Sequence, residues 1–364
     1  MGKYNIWVYA ICKNEEQFVE GWMDSMSEAD GVLVVDTGST DQSVEKLKLR
    51  GAVVYEQVFT PWRFDHARNA ALDLIPKEVD ICVSTDLDEV LLPGWRQVLE
   101  DQWGSGVDRG NFLYNFELDA NGNPVLQFQR EKIHTRHNYR WFSPVHERLA
   151  YTGEGKEQLK FLEGVVLNHY PDTTKPRTQY LPLLELTVEE NPQDDRAMFW
   201  LGREYIYQNQ PEAAITTLKR HLALPTAIWD EERCASMRLL GNCYEAKGEW
   251  ATAQNWYFKA VGECPYVREP YLELAKFGQK TQNWPLTYGM AREALKIGKK
   301  TGSYLTDEKC WSFYFDDAAA LAAYFLGMYK EAVEHGNRAL LLSPHDSRLV
   351  ENLKFYYGKM IEGG

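Results

Sequence analysis

Val83-Ser84-Thr85-Asp86-Leu87-Asp88-Glu89-Val90-Leu91-Leu92 decides how this chain is read. The apolar run Ile81-Cys82-Val83 leads into it, and three carboxylates follow within four residues. An apolar, β-branched run bounded by polar residues reads as the end of a buried strand. On extended backbone Asp86 and Asp88 point to one side. Two carboxylates facing one way repel unless a proton or cation lies between them. Hard oxygen ligands suit Mg²⁺ or Mn²⁺, with positions left for waters and phosphate oxygens. Taken alone, the same residues also read as a solvated acidic turn.

Working back toward the start, apolar strands alternate with helical segments. Asn5–Cys12 reads as a strand, followed by a helix from Asn14, its N-cap, to Glu28. Gly31–Val35 is a second strand, and Asp36-Thr37-Gly38-Ser39-Thr40-Asp41 a turn in which Ser39 or Thr40 caps the helix Gln42–Arg50. Val53–Val58 is a third strand, Phe64–Ile75 a helix, and the fourth strand delivers Asp86 and Asp88. Strands apolar on both faces between helices imply a parallel sheet covered on both sides. Ligands of such sheets bind beyond the carboxyl ends of the strands. Asn14-Glu15, Asp36 to Asp41, and Asp86 to Asp88 all fall there.

As an ordered set, Ile11-Cys12-Lys13-Asn14-Glu15-Glu16, Val35 to Asp41, Ala67-Arg68-Asn69 and Asp86-Leu87-Asp88-Glu89 resemble a family-two glycosyltransferase. The resemblance covers roughly the first 175 residues and implies the GT-A fold, a Rossmann-like mixed α/β sheet. It implies inverting transfer of a sugar from a nucleotide diphosphate donor, a UDP-sugar, with Mn²⁺ or Mg²⁺ as cofactor. It also implies site residues. Asp36 would accept hydrogen bonds from the donor's base, Asn14 and Glu15 would hold the nucleoside, and Arg68 would lie near the phosphates or sugar. Asp86 would touch the ribose and sugar, and Asp88 would ligate the metal. Asp41 reads equally as a helix cap, and Arg68 as a buried partner of Asp36 or Asp86.

Downstream, Asn121-Gly122 signals a hairpin between Asn111–Phe116 and Leu126–Arg130, an antiparallel edge on the sheet. Arg140 to Leu149 contains Val145-His146-Glu147. Inversion needs a group to take the acceptor's proton. By the resemblance Glu147 is the candidate base, with His146 second. The alternative for Glu147 is an ion pair with Arg130, Arg136 or Arg140, and Trp141 reads either as a sugar-stacking ring or as core. The resemblance places a late histidine, His169, on the metal or diphosphate, and Thr173 to Arg177 reads as a flap.

From about Tyr180 the pattern turns helical. Leu240-Gly241, Tyr244, Gly248, Ala253, Tyr257, Ala260 and Pro265 resemble a tetratricopeptide unit. Further units centre on Leu201-Gly202, Leu274-Ala275 and Ala319-Ala320, and His345 to Ile361 reads as a capping helix. The expected division is residues 1–178 for the GT-A domain and 179–364 for an all-α tetratricopeptide-like solenoid. The repeats would hold a polypeptide acceptor, join a homodimer, or only buttress the catalytic domain.

Composition sets outer bounds. At 364 residues, two domains are the natural expectation. A net charge of −13 disfavours nucleic acid as a partner. Cys12, Cys82, Cys234, Cys243, Cys264 and Cys310 show no metal-binding spacing and read as reduced core residues. With neither a signal segment nor a long apolar run, the expectation is a soluble cytoplasmic protein without a membrane span. A degenerate transferase domain on a non-catalytic scaffold that binds a partner protein is the competing reading. A nucleotidyltransferase would need a Gly-rich basic loop after the first strand, which Cys12 to Glu16 does not supply.

Overall fold

The computed structural model describes residues 2–172 and 180–362, so the Thr173 to Arg177 flap and the 178/179 boundary lie outside the described residues. The chain forms two compact units, Met1–Thr187 and Val188–Gly364. The first contains β1 (Ile6–Cys12), α1 (Val19–Met26), β2 (Gly31–Asp36), α2 (Ser43–Leu49), β3 (Val53–Glu56), α3 (Phe64–Leu74), β4 (Ile81–Ser84), β5 (Glu89–Leu91) and α4 (Trp95–Gln102). Then follow β6 (Arg109–Leu118), β7 (Pro124–Thr135), β8 (Tyr139–Phe142), β9 (Arg148–Tyr151) and β10 (Leu159–His169), with α5 (Tyr180–Glu190) at the division between the units.

Eight strands make one mixed sheet in the order β3-β2-β1-β4-β7-β6-β10-β5. The four strands from β3 to β4 run parallel, β7 is antiparallel to both β4 and β6, and β10 is parallel to β6. The pleat of β1 explains why both faces are covered. Ile6, Val8, Ala10 and Cys12 join a core with Trp22, Met26 and Trp95, while Tyr9 joins another with Leu72, Tyr139 and Trp141. Burying both faces requires the continuous apolar runs seen in the sequence.

Three local expectations are corrected. The helix expected at Asn14 begins only at Val19, because Asn14 is left-handed (φ +54°), which a helix start excludes. Ser39 and Thr40 do not cap α2; the Asp41 carboxylate accepts from the backbone N–H and hydroxyl of Ser43 instead. The Asn121-Gly122 hairpin forms, but not at an edge, because β7 pairs with β4 as well as with β6. The edge beyond is β5, a short strand within the acidic motif itself.

The second unit contains α6 (Asp195–Tyr207), α7 (Pro211–Ala223), α8 (Asp230–Ala246), α9 (Trp250–Glu263), α10 (Glu269–Lys280), α11 (Trp284–Leu295), α12 (Tyr314–Phe325), α13 (Tyr329–Leu342) and α14 (Ser347–Glu362). Successive pairs form helical hairpins, and α14 packs on α13. The first helix of each hairpin ends alike. Asn209, Gly248, Gln282 and Gly327 are left-handed. The next residue's N–H bonds back across the end, as from Gln210 to Tyr205 O (2.8 Å) and from Met328 to Ala323 O (2.8 Å). This is the Schellman closure that frees the chain to reverse. A Cβ on Gly202 or Gly241 would strike Leu218 or Tyr257, so the small residues set the approach of paired helices. The spacing of 45 residues between Ala275 and Ala320 reflects the loop and 3₁₀ turn (Glu308–Trp311) between α11 and α12. No helix among the described residues is long and apolar enough to cross a membrane.

Candidate functional site

The parallel strands β1, β2 and β4 deliver their polar residues to one rim because parallel register aligns their carboxyl ends. Cys12 sits beside Asp36, and Tyr9 beside Ser84. The loops after β1 and β2 are bonded to each other. Asn14 Oδ1 accepts from Thr40 N (2.7 Å), Asn14 N donates to Ser39 Oγ (2.8 Å), and Glu15 N donates to Ser43 Oγ (2.8 Å). Asp36 is 2% exposed, and Oδ2 accepts from Gly38 N and Ser39 N, both at 3.0 Å. Ser39 Oγ donates to its other oxygen. Asp36 thus shapes the turn, a duty beside the base contact that the resemblance implies. Desolvation opposes ionisation of Asp41, but the bonds from Ser43 and from Glu16 N outweigh it and hold this carboxyl below its ordinary value.

The acidic motif has the densest electrostatics. Arg68, buried on α3, donates from Nη2 to Asp86 Oδ1 (2.7 Å) and from Nε to Glu147. Lys132 on β7 reaches Asp86 Oδ2 (3.1 Å) and both oxygens of Glu89 (3.2 Å). Glu89 Oε2 accepts from Asp86 N (2.9 Å), so Glu89 is a buried buttress. Burial alone would raise the Asp86 pKa, but Arg68 and then Lys132 reverse this and hold it well below the carboxylate range. Of the partners expected for Arg68, the structure selects Asp86. Those expected for Glu147 are replaced: Arg130 lies over Tyr114 and Phe128, Arg136 bonds Ile75 O, and Arg140 pairs with Asp73.

Asp88 and His169 come together from distant sequence. Asp88 Oδ2 lies 3.4 Å from His169 Nε2, and Tyr170 N donates to Asp88 O (2.8 Å). His169 Nδ1 lies 3.1 Å from Phe116 O, and its ring stacks on Phe116. A proton on Nδ1 facing that carbonyl leaves the Nε2 lone pair toward the Asp88 carboxylate. Two acceptors facing each other make a place for a cation, and the carbonyl fixes the tautomer. The residues therefore fit Mn²⁺ or Mg²⁺ with positions left for other oxygens. Without a cation a proton on Nε2 takes that place: desolvation lowers the His169 pKa, but the bonds of the protonated ring to Asp88 and Phe116 O prevail and raise it.

His146 and Glu147 lie in the loop joining β8 to β9. Ser143 (φ +83°) and His146 (φ +51°) are both left-handed, and Phe64 N bonds Pro144 O (3.0 Å), tying the loop to the start of α3. Non-glycine residues in this conformation carry strain that the surroundings must hold. Asn69 contributes by bracketing the Trp141 backbone at 2.8 and 3.0 Å. Trp141 is core: it is 4% exposed, donates to Tyr9 Oη (2.9 Å), and carries the Arg68 guanidinium 5.0 Å above its ring.

The sequence reading missed Lys132 and the network behind it. The pleat of β7 was the available signal, since it puts Lys132 on one face with Arg130 and His134. His134 is fully buried; Tyr9 Oη lies 2.9 Å from Nε2 and Thr135 O lies 2.7 Å from Nδ1. Burial lowers its pKa to about 3, so the ring is neutral.

No protein-family model matches the chain, and no curated protein matches it. Solved structures do show likenesses. The MamA structure aligns at 17% identity and a TM-score of 0.38, over 49% of this chain and 99% of that one. YrrB, described as a TPR protein with an unusual peptide-binding site, aligns at 15% identity and 0.39, over 48% and 82%. The APC/C hetero-tetramer Cut9-Hcn1 aligns at 19% identity and 0.38, over 50% of this chain and 33% of that one.

Proposed function

We propose that the chain is a metal-dependent, inverting glycosyltransferase of the GT-A type, moving a sugar from a UDP-sugar donor to an acceptor polypeptide. The observation that carries this reading is the convergence of Asp86, Asp88 and His169 beyond the carboxyl end of β4, with Asp86 kept ionised by Arg68 and Lys132. The parallel half-sheet joined to an antiparallel insertion supports the fold assignment. Asp88 and His169 would hold Mn²⁺ or Mg²⁺, which when bound neutralises the diphosphate leaving group. Asp86, ionised and oriented, accepts hydrogen bonds from ribose or sugar hydroxyls. The Asn14, Glu15 and Asp36 loops form the nucleoside wall, and their mutual bonds preorganise it. Glu147, aimed by Arg68, takes the acceptor's proton, with His146 the second candidate for that role.

A second reading is a non-catalytic repeat scaffold that binds a partner protein through a domain descended from a transferase. Two observations favour it. Asp86 and Glu147 are already neutralised within the protein, and helical hairpins fill the second unit. Calorimetry with UDP and Mn²⁺ separates the two. A transferase binds UDP in a Mn²⁺-dependent way, releases UDP from its donor, and loses both in Asp88→Asn. A scaffold shows neither, and the unchanged binding of UDP by Asp88→Asn would sink the metal assignment.

A further inference from the structure

Three helices of the second unit bring a separate set of ligands together. Asp195 opens α6, His221 lies in the last turn of α7, and Glu232 lies in the first turn of α8. One ligand atom from each falls within 4.8 Å of the others. His221 is 1% exposed and Glu232 3%, while Asp195 is partly open to solvent.

Each buried member is oriented by a hydroxyl behind it. Ser236 Oγ lies 2.9 Å from His221 Nδ1, and Tyr304 Oη donates to Glu232 Oε2 (2.7 Å). These contacts leave His221 Nε2 and Glu232 Oε1 facing each other at 3.4 Å. With metal bonds of about 2.0–2.1 Å, two ligands on a tetrahedron stand roughly 3.3–3.4 Å apart. The pair therefore already spans one edge of a zinc site, and Asp195 needs only a small approach to take a third corner.

Charge points the same way. Among the described residues no lysine or arginine pairs with Asp195 or Glu232. Two carboxylates gathered about one imidazole in a largely buried place, with no such side chain to pair them, favour an added cation. The C-terminal turn of α7, where His221 sits, also favours positive charge.

We infer that Asp195, His221 and Glu232 form a binding site for a borderline divalent cation, Zn²⁺ by the nitrogen and oxygen ligand set, separate from Asp88 and His169. Three protein ligands and a solvent-facing fourth position fit an open tetrahedral site. Ser236 and Tyr304 act as the positioning residues behind the ligands. Bound there, the cation ties α6 and α7 to α8 across the boundary between two hairpins.

The test titrates Zn²⁺ alone into the full chain carrying Asp88→Asn, which removes the first-unit ligand, with stoichiometry read by competition against a chromophoric chelator. Hydrogen exchange on the same samples locates the effect. The expected result is one equivalent of Zn²⁺ with slowed exchange in α6, α7 and α8. Affinity should fall tenfold or more in His221→Gln and in Asp195→Asn. Asp195 is part-exposed, so its variant keeps the test decisive if His221→Gln does not fold. Absence of Zn²⁺ uptake, uptake without protection of these helices, or an affinity in either variant unchanged from that of the parent Asp88→Asn chain overturns the site.

Discussion

Replacing Arg68 with Met should unbalance the charges beneath the rim. Arg68 has 5% of its side chain exposed, bonds Asp86 at 2.7 Å, holds Glu147, and lies over the Trp141 ring. Methionine keeps most of the stem's packing but leaves two carboxylates without their shared cation. Removing one partner from a buried ion pair costs about 3–5 kcal/mol. Asp86 is 35% exposed and retains Lys132, so its share is discounted, whereas Glu147 is 12% exposed and has no second cation among the described residues. The low end, about 3 kcal/mol, is therefore expected. For a unit of this size that lowers its Tm by roughly 6–12 °C. The pH response gives an independent reading. In the native protein the Asp86 pKa is depressed, so its contribution is present above the unfolded carboxylate value and is lost only as pH falls through the lower folded value. Between pH 7 and 5 it adds no slope. In the variant the uncompensated charge is relieved by acid, so stability rises over that interval relative to wild type. Calorimetry of the full chain, with hydrogen exchange in α3 and β4, measures both effects. A variant that melts with wild type and keeps its pH slope refutes the triad's role.

His134 makes a pH prediction of opposite sign. Its pKa falls to about 3 in the fold, so below about 6.5 the unfolded chain binds a proton that the folded one does not. Stability should thus decline by about 2 kcal/mol between pH 6.5 and 5 relative to His134→Gln, as read from urea midpoints at each pH. Gly241→Ala should destabilise by about 1–3 kcal/mol in urea, because overpacking against Tyr257 outweighs the helix propensity gained. Gln282→Gly should raise Tm, with a gain of up to about 1 kcal/mol, since Gln282 is left-handed at φ +54°. A lower Tm would show that its side chain contributes more than the strain removes.

The rim was legible because its signals are local. Apolar runs ending in Asn14, Asp36 and Asp86 mark strand ends, and parallel order alone gathers strand ends together. Helical periodicity and small residues at Gly202 and Gly241 marked the hairpins equally well. Partner choice was not legible. The candidate partners of Glu147, namely Arg130, Arg136 and Arg140, are all closer in sequence than Arg68, yet the β8–β9 loop folds against α3 and Glu147 pairs with Arg68. Nor was β7 readable as a central strand: a hairpin's turn residues specify its closure, not which neighbour its outer edge finds.

Sequence by itself determined the alternation of strands and helices, the change to helical repeats near Tyr180, and the strand-end position of Asp86 and Asp88, because each follows from the spacing of apolar and turn-forming residues along the chain. Tertiary structure selected Asp86 over Asp36 as the partner of Arg68 and brought His169 to 3.4 Å from Asp88, and it alone decided that Lys132 joins Asp86 and that Asp195, His221 and Glu232 converge. Those meetings depend on the register of distant strands and the crossing of separate helices, and both are set by packing among residues far apart in the chain.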